Sequence, residues 1–297
     1  EEKTPQGIIE EAWYQNKLWI KFMLPLSWLF NIATLVRKRR QKKDAWKPDQ
    51  KVVVVGNLSI GGNGKTPFVI WLANFLKSKG LKPGIASRGY RSASAQFPLE
   101  INENTSVSAS GDEPKLIHNH TKCPTVISPN RVEAVKFLLK KHDCDVIISD
   151  DGMQHYKLGR DIEVALVDGF RKFGNGFTFP TGPLREPLSR LKDVNYIVNT
   201  NKFRSDEKER TNKDILMTYE PVSWIKLNTG EEKKIEDWSL SKLVYGVAGI
   251  ANPNNFFSTL RNLGFEVIEN SFPDHHTFSK ADFMGLEDLP IIMTEKY

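Results

Sequence analysis

The chain has 297 residues, of which 39% are hydrophobic and 26% are charged, and its net charge is +6. This composition excludes an intrinsically disordered chain, and the length is sufficient for two domains of ordinary size. Cys123 and Cys144 are too few to form a disulfide framework, which fits a reduced cytosolic compartment. The mild positive excess suits nucleic acid, anionic lipid or a phosphorylated substrate, and its distribution along the chain must decide among them.

The first predicted element is an apolar N-terminal helix followed by a basic run. Residues 22–36 carry no charge, and residues 37–43, RKRRQKK, hold six positive charges. A spanning helix needs about 20 apolar residues, so this shorter run is predicted to lie on an anionic membrane surface rather than to cross it. The alternative is a helix packed on the protein core, with a solvated basic turn after it. A cleavable signal peptide fits poorly because the charges follow the apolar run.

A strand, a glycine-rich loop and a helix follow within residues 51–79. The loop ends in Gly64-Lys65-Thr66, a phosphate-binding pattern in which backbone N–H groups and a helix N-terminus surround the phosphates of ATP. Lys65 would reach the β- and γ-phosphates, and the Thr66 hydroxyl would be a Mg²⁺ ligand. Ser59 stands where the pattern has glycine, so a glycine-rich turn without a ligand is the alternative. The predicted nucleotide-binding residues are Ser59, Ile60, Gly61, Gly62, Asn63, Gly64, Lys65 and Thr66.

Apolar runs and amphipathic stretches alternate after this loop, which predicts parallel βαβ units and an α/β fold. The predicted strands are 51–56, 82–86, 124–127, 145–149, 162–167 and 194–199, and the predicted helices are 65–79, 112–119 and 130–142. Residues 201–214 are polar and charge-dense, which predicts a surface segment or linker. A second, smaller α/β domain is predicted from strands 243–249, 265–269 and 290–293 and helices 253–262 and 279–286. The predicted domains are 1–43, 44–200 and 201–297.

Two acidic motifs are candidates for catalysis. Asp150 and Asp151 end a buried apolar strand, where they would hold Mg²⁺ near Thr66, although acidic turns are also common in loops. Gln154 and His155 follow in the same loop and are predicted to contact nucleotide or substrate, with a structural imidazole as an equal alternative for His155.

Asp112 and Glu113 begin a predicted helix, so helix capping is the simple interpretation. The more specific interpretation is that Asp112 accepts the proton of an attacking hydroxyl. The Asp-His-His run at 274–276 is compatible with a metal site, with a general base and its partner, or with a surface turn. Arg88, Arg131 and Arg185 lie at predicted element ends, where they would suit phosphate clamps or be surface charges.

Six motifs occur in a characteristic order: GNLSIGGNGKTP, SRGY, GDEP, DDGMQH, GPLREP and FPDHH. Together they resemble the tetraacyldisaccharide 4′-kinase family, the lipid A 4′-kinases of Gram-negative bacteria. The resemblance implies ATP-dependent phosphorylation of the 4′-hydroxyl of a tetraacyldisaccharide 1-phosphate to lipid IVA. It also implies a P-loop NTPase-like α/β/α sandwich with a mostly parallel sheet, and a smaller domain that closes over the site. The enzyme would be peripheral on the cytoplasmic face of the inner membrane.

The resemblance also implies roles for individual residues. Lys65 would steady the phosphates, Asp112 would be the general base, and His275 would pair with it. Thr66, Asp150 and Asp151 would organise Mg²⁺, and Ser59 would be the family's own variant of the loop. The predicted substrate contacts are Arg88, Glu113, Arg131, Gln154, His155, Arg185 and Glu186.

Two other functions compete with the lipid kinase. One is a P-loop kinase for a soluble hydroxyl, in which residues 13–43 serve only as core and surface. The other is a non-catalytic, nucleotide-switched binder of membrane or nucleic acid. Nucleic acid is the weakest partner because the excess charge vanishes outside residues 37–43 and no stacking motif is evident. No obligate protein partner is inferred.

Overall fold

Helices and strands alternate between residues 51 and 150, as the sequence predicts, whereas the described part of residues 151–252 contains strands and 3₁₀ turns without an α-helix. The computed structural model describes residues 5–90, 92–203, 210–250, 252–274 and 276–294. The helices are α1 Pro5–Tyr14, α2 Leu24–Lys43, α3 Lys65–Ser78, α4 Val107–Ser110, α5 Asp112–Thr121, α6 Arg131–Lys141 and α7 Pro253–Asn262. The strands are β1 Lys51–Asn57, β2 Pro83–Ser87, β3 Leu99–Ile101, β4 Thr125–Ile127, β5 Val146–Asp150, β6 Ile162–Asp168, β7 Tyr196–Thr200, β8 Asp214–Met217, β9 Ser223–Ile225, β10 Glu232–Lys234, β11 Leu243–Ala248, β12 Glu266–Ser271 and β13 Ile291–Met293.

The chain divides into two compact units, Glu1–Thr218 and Tyr219–Tyr297. The first unit contains an eight-stranded sheet of order β3-β4-β2-β5-β1-β6-β7-β8. Its strand pairs are parallel, except that β3 runs antiparallel to β4. The resulting fold is the mostly parallel α/β class that the sequence predicts.

Two hydrophobic layers cover the faces of this sheet. Alternate residues of a strand point to opposite faces, and the valines of β1 divide accordingly. Val52 and Val54 pack with buried residues of α6, whereas Val53 and Val55 pack with buried residues of α3 and with Ile117 of α5. Helices therefore lie on both faces, which confirms the three-layer α/β/α sandwich.

The N-terminal segment combines anchored polar groups with exposed apolar side chains. The Ser27 hydroxyl of α2 donates to the Thr178 carbonyl at 2.8 Å, and Trp13 Nε1 donates to the Pro180 carbonyl at 2.9 Å. Phe22 is 88% exposed and Trp28 is 65% exposed. The helical stretch Leu18–Lys43 is long and apolar enough to cross a membrane by length and composition alone. Most of its apolar surface therefore lacks a partner among the described residues.

The second unit is built on a three-stranded parallel sheet of order β12-β11-β13, with a separate β9–β10 hairpin. Helix α7 buries Phe257 and Leu260. Rings of Trp224, Trp238 and Phe265 meet with centroids 5.2–5.6 Å apart. This packing supplies a small hydrophobic core of its own.

One strand was missed, and one predicted helix was wrong. Strand β8, which pairs with β7 at the sheet edge, begins at Asp214, the last residue of the stretch 201–214 that was expected to be a surface segment or linker. That expectation stays a prediction because residues 204–209 lie outside the described residues. The apolar residues of β8 are partly or fully exposed, so they gave no hydrophobic pattern. Residues 279–286 were expected to form a helix but contain only the 3₁₀ turn Lys280–Phe283. Gly285, at φ +83°, adopts a left-handed conformation that ends any helical continuation.

Candidate active site

The candidate site lies at the edge of the large sheet where its parallel strands end. β1 and β5 are neighbours, with Val55 in register with Asp150, so the loops that follow them leave the sheet side by side. β2 and β6 flank this pair and end at Ser87 and Asp168. Ligands of open α/β sheets bind outside the carboxyl ends of the strands, and the predicted nucleotide and acidic motifs both lie there.

The phosphate-binding loop joins β1 to α3, as the sequence predicts. Gly64 adopts a left-handed conformation (φ 75°), and α3 begins at the next residue. Asn63 Nδ2 donates to the Ser59 hydroxyl at 2.8 Å, and Asn57 Nδ2 donates to the Ser59 carbonyl at 2.7 Å. Ser59 thus closes the loop through a side-chain hydrogen bond that glycine could not make. The role of Asn57 escaped sequence reasoning because it precedes the predicted nucleotide-binding residues 59–66 and no local pattern marks its contacts with the loop.

Lys65 and Arg185 converge on one carboxylate. Lys65 Nζ lies 3.6 Å from Asp151 Oδ1, and Arg185 Nη1 lies 3.1 and 3.2 Å from the two carboxylate oxygens. Although burial opposes ionisation, these cations hold the pKa of Asp151 well below its usual range. Backbone pairing fixes Arg185, since its N–H donates to the Leu58 carbonyl at 2.6 Å. The structure therefore brings together three of the predicted site residues.

Asp150, the neighbouring carboxylate, has the opposite electrostatic environment. It is 2% exposed, and its Oδ2 accepts a hydrogen bond from the Ser87 hydroxyl at 2.8 Å. Its Oδ1 is buried without a hydrogen-bond partner among the described residues. Burial, followed by repulsion from Glu113 and Asp151, raises the pKa of Asp150 to about 6. Such an orphaned oxygen needs a cation or a donor that arrives with the ligand.

Thr66, the other predicted Mg²⁺ ligand, lies in the first turn of α3 and is buried. No group of three or more histidine, cysteine, aspartate or glutamate side chains suited to a metal ion occurs among the described residues. Mg²⁺ is usually bound through one or two carboxylates together with substrate phosphates and water. The hydroxyl and the orphaned carboxylate oxygen fit such a site, which is completed by a nucleotide.

Arg131 and His155 support Asp150 from within the protein. Arg131 is 2% exposed and donates from Nη2 to the Asp150 carbonyl at 3.0 Å and from Nη1 to the Ser128 carbonyl at 2.8 Å. Burial lowers the pKa of Arg131 to about 10, so its charge persists at neutral pH. The Arg131 backbone N–H donates to His155 Nε2 at 3.2 Å. Burial and the Arg131 charge lower the pKa of His155 to about 4, which keeps the accepting imidazole neutral.

Glu186 belongs to a buried polar network. The Tyr156 hydroxyl donates to Glu186 Oε1, and Arg190 Nε donates to the Tyr156 oxygen at 2.9 Å. Gln154 Nε2 donates to Glu186 Oε2 and to the Asn57 carbonyl, both at 3.2 Å. The network ties the loop after β5 to the end of β1. Tyr156 and Arg190 were not predicted, because only the three-dimensional fold brings them to Glu186.

Asp112 and Glu113 begin α5, where carboxylates are favoured by the helix dipole. A side chain at Gly111 would clash with the Tyr90 carbonyl, 2.7 Å from the position of a Cβ atom. The start of α5 is therefore packed against the loop after β2, which carries the exposed Arg88. The predicted base thus lies on an element next to the acidic edge of the sheet, and Glu113 acts on Asp150 electrostatically.

His275, the predicted partner of Asp112, lies outside the described residues. Its neighbour His276 stacks on Phe272 with a centroid separation of 4.7 Å. His276 Nε2 lies 3.2 Å from Asp282 Oδ1. These contacts are internal to the second unit.

Comparisons with known proteins give one consistent result. The family model described as LpxK, tetraacyldisaccharide-1-P 4′-kinase, matches residues 19–296. The tetraacyldisaccharide 4′-kinase of Legionella pneumophila strain Lens is 44% identical over 291 residues, which cover 97% of this chain and 86% of the relative. That of Haemophilus influenzae is 42% identical over 289 residues, with coverages of 96% and 84%. A crystal structure of LpxK from Aquifex aeolicus in complex with ATP superposes with a TM-score of 0.74 at 29% identity, covering 94% of this chain and 89% of that one.

Proposed function

We propose a reaction and a site for this chain. It belongs to the tetraacyldisaccharide-1-P 4′-kinase family, which confirms the resemblance carried by its motifs. The protein transfers the γ-phosphoryl group of ATP to the 4′-hydroxyl of a tetraacyldisaccharide 1-phosphate, giving lipid IVA. Family membership does not favour the alternative of a soluble acceptor. The observation that carries the proposed site is the convergence of Lys65 and Arg185 on Asp151 beside the phosphate-binding loop.

In the proposed reaction the acceptor oxygen bonds to the γ-phosphorus while the bond from that phosphorus to the β–γ bridging oxygen breaks. The electron pair of the broken bond leaves with ADP, and Asp112 accepts the proton of the attacking hydroxyl. Lys65 and the backbone of the loop at 59–66 hold the phosphates and offset their charge. When bound, Mg²⁺ would neutralise charge on the β- and γ-phosphates, and Thr66 and Asp150 are the residues that fit it. Asp151 keeps Lys65 and Arg185 in place before ATP binds.

The remaining predicted substrate residues divide into two groups. Arg88 is exposed on the loop after β2, and Glu113 is half-buried in the first turn of α5, so we assign both to substrate binding. The others contact protein groups instead: Arg131, Gln154, His155 and Glu186. Their proposed part in substrate recognition is to position the exposed loops. The closing of residues 201–297 over the site, with His275 tuning Asp112, stays a prediction.

The proposed location is the cytoplasmic face of the inner membrane, with the protein bound peripherally. An acceptor with four acyl chains cannot leave a bilayer cheaply, because each buried CH₂ is worth about 0.8 kcal/mol. Phe22 and Trp28 present apolar surface on the N-terminal segment. Arg37 and Arg40 of α2, together with Lys157, line a shallow groove beside it. This arrangement suits an apolar face in the acyl region and cations at anionic head groups.

The test measures phosphoryl transfer from γ-labelled ATP to the tetraacyldisaccharide 1-phosphate in mixed micelles. A de-acylated analogue of the acceptor is assayed in parallel. We expect labelled lipid with the acylated acceptor only. Lys65→Ala and Asp112→Ala should each lose about 10²–10⁴-fold in turnover, whereas Asp112→Ala should keep the nucleotide affinity of the wild type. Asp143→Ala is the matched control, because Asp143 is an exposed carboxylate whose ion-pair partner is Lys82. No lipid labelling, with ATP binding intact, would contradict the proposed acceptor.

A further inference from the structure

Arg171 lies in the loop that follows β6, next to the phosphate-binding loop. β6 is the neighbour of β1 on the side opposite β5. The last residue of β6, Asp168, accepts hydrogen bonds at its Oδ1 from the backbone N–H groups of Phe170 and Arg171, at 2.8 and 3.0 Å. These bonds make a tight turn directly after the strand. The backbone of Arg171 is therefore fixed at the same edge of the sheet as the proposed ATP site.

The guanidinium of Arg171 reaches the middle of the phosphate-binding loop. A Cβ atom built on Gly61 would lie 3.6 Å from Arg171 Nη1. Gly61 has φ +106°, and its carbonyl accepts a hydrogen bond from Asn57 Nδ2 at 3.3 Å, so this backbone is held in place. The Arg171 guanidinium also lies over the Tyr14 ring, 4.8 Å from its centroid. The arginine thus lies close both to an aromatic ring and to the phosphate-binding loop.

No ion pair neutralises the charge of Arg171 within the part of the chain that the structure describes. There its guanidinium has neither an ion-pair nor a hydrogen-bond partner, and its cation–π contact is with the Tyr14 ring. By contrast, Lys65 and Arg185, two other cations at this edge, already share Asp151. A half-buried arginine without an anion of its own is available to pair with a phosphate. A phosphate bound on the loop would supply the missing anion, and an arginine fork matches its oxygens.

We propose that Arg171 acts as an arginine finger supplied by the chain itself, a role that rests on the kinase function proposed above. It contacts the γ-phosphoryl oxygens as the acceptor oxygen bonds to phosphorus and the bond to the β–γ bridging oxygen breaks. Negative charge grows on the transferring group and on the leaving ADP during this step. The guanidinium donates hydrogen bonds to that charge, forms no covalent bond and transfers no proton. Tyr14 is its positioning residue, since the guanidinium lies over the ring, 4.8 Å from its centroid.

The decisive experiment separates ground-state binding from transition-state stabilisation. Arg171→Ala, Arg171→Lys and the control Lys172→Ala are compared in the mixed-micelle assay. Lys172 is a suitable control because it is the adjacent, exposed cation of the same turn. The dissociation constants of ADP and of ADP–aluminium fluoride are then measured with Mg²⁺ and the lipid acceptor present. Thermal melting verifies that each variant is folded.

We expect Arg171→Ala to lower kcat about 10³-fold or more, within the range of arginine fingers. Its affinity for ADP should be unchanged, while its affinity for ADP–aluminium fluoride falls in parallel with kcat. Arg171→Lys should recover only part of the loss, because it keeps the charge but not the fork. Lys172→Ala should match the wild type in both measurements.

Two results would overturn the finger. One is a kcat of Arg171→Ala within threefold of the wild type. The other is a loss confined to the KM of the lipid, with unchanged affinity for ADP–aluminium fluoride, which would place Arg171 at the acceptor instead. If Arg171→Ala does not fold, Arg171→Lys decides, since wild-type kcat in that variant contradicts a role for the fork. If the wild type does not label lipid, the proposed acceptor is refuted. The role of Arg171 is still tested in that case, because the affinities for ADP–aluminium fluoride are measured without turnover.

Discussion

Replacing Asp150 by asparagine should make the protein more stable and inactive at the same time. The pKa of Asp150 is about 6 in the folded protein against an ordinary value of 3.8, chiefly because of burial. Each pKa difference of one corresponds to about 1.4 kcal/mol. Above pH 6 the carboxylate is ionised in both states, and the folded state carries a cost of about 3 kcal/mol. Below pH 3.8 it is neutral in both states, and this cost disappears.

Asp151, the neighbouring residue, provides a control in which the change in stability is expected to have the opposite sign. Because Lys65 and Arg185 lower the pKa of Asp151, its ionised form stabilises the fold above its ordinary pKa. Asp151→Asn should therefore lose roughly 1–3 kcal/mol at neutral pH. Asp151 has φ 47°, a conformation that asparagine tolerates, so the substitution adds little backbone strain. Both variants should lose kinase activity, while their stabilities move in opposite directions.

The assay is urea unfolding of the three proteins at pH 7.5 and at pH 4.5. At pH 7.5 the gain of Asp150→Asn should be close to the 3 kcal/mol derived above, which corresponds to a Tm increase of roughly 6–12 °C. At pH 4.5 the gain should shrink to about 1 kcal/mol, because wild-type Asp150 is then largely protonated when folded. Equal destabilisation by both substitutions, or a gain that does not depend on pH, would refute this account of the two environments.

Further predictions concern the N-terminal segment and the buried network. The double variant Phe22→Ser/Trp28→Ser should lose binding to anionic vesicles in flotation assays but keep nucleotide affinity, whereas Trp71→Ser, which removes an exposed ring from α3, should float like the wild type. Ser27→Ala should cost about 1–3 kcal/mol in chemical unfolding, because the Thr178 carbonyl loses a buried hydrogen-bond donor. Tyr156→Phe should cost a similar amount because it removes the hydroxyl shared by Glu186 and Arg190, and unchanged stability would show that water replaces it.

The parts of the site that sequence reasoning predicted depend on short-range patterns. Gly64-Lys65-Thr66 follows a valine-rich strand and precedes a helix, so the order of elements alone defines the loop. Asp150 and Asp151 end an apolar run, which likewise fixes them at a strand end. Since parallel strands end at one edge of a sheet, these two motifs had to meet. The parallel βαβ units and helix α7 of the second unit follow from the same periodicities, whereas the α/β/α layers were implied by the family resemblance and the strand order was not predicted.

The parts that escaped prediction depend on contacts between distant residues. Arg190 contacts Tyr156 and Glu163, which precede it by 34 and 27 residues, and nothing in the local sequence marks it. Arg131 was predicted at an element end, but only the fold shows that its guanidinium donates inward to two carbonyls. β8 was missed because an edge strand with exposed residues does not need an alternating apolar pattern. In each of these cases the outcome depends on which residues the fold buries and brings into contact, and the local sequence does not contain that information.

The same distant contacts join the N-terminal segment to the proposed site. Ser27 of α2 is hydrogen-bonded to the Thr178 carbonyl, and Thr178 forms a β-bridge with Leu184. Leu184 is bridged to Ser59, the first residue of the phosphate-binding loop. Arg185, which follows Leu184 in the chain, forms an ion pair with Asp151. Each of these links is short and largely buried, so the height of the loop relative to the exposed apolar face of α2 is fixed by the fold. For a kinase whose acceptor hydroxyl is held by acyl chains in a bilayer, that fixed height sets whether the hydroxyl reaches the γ-phosphoryl group.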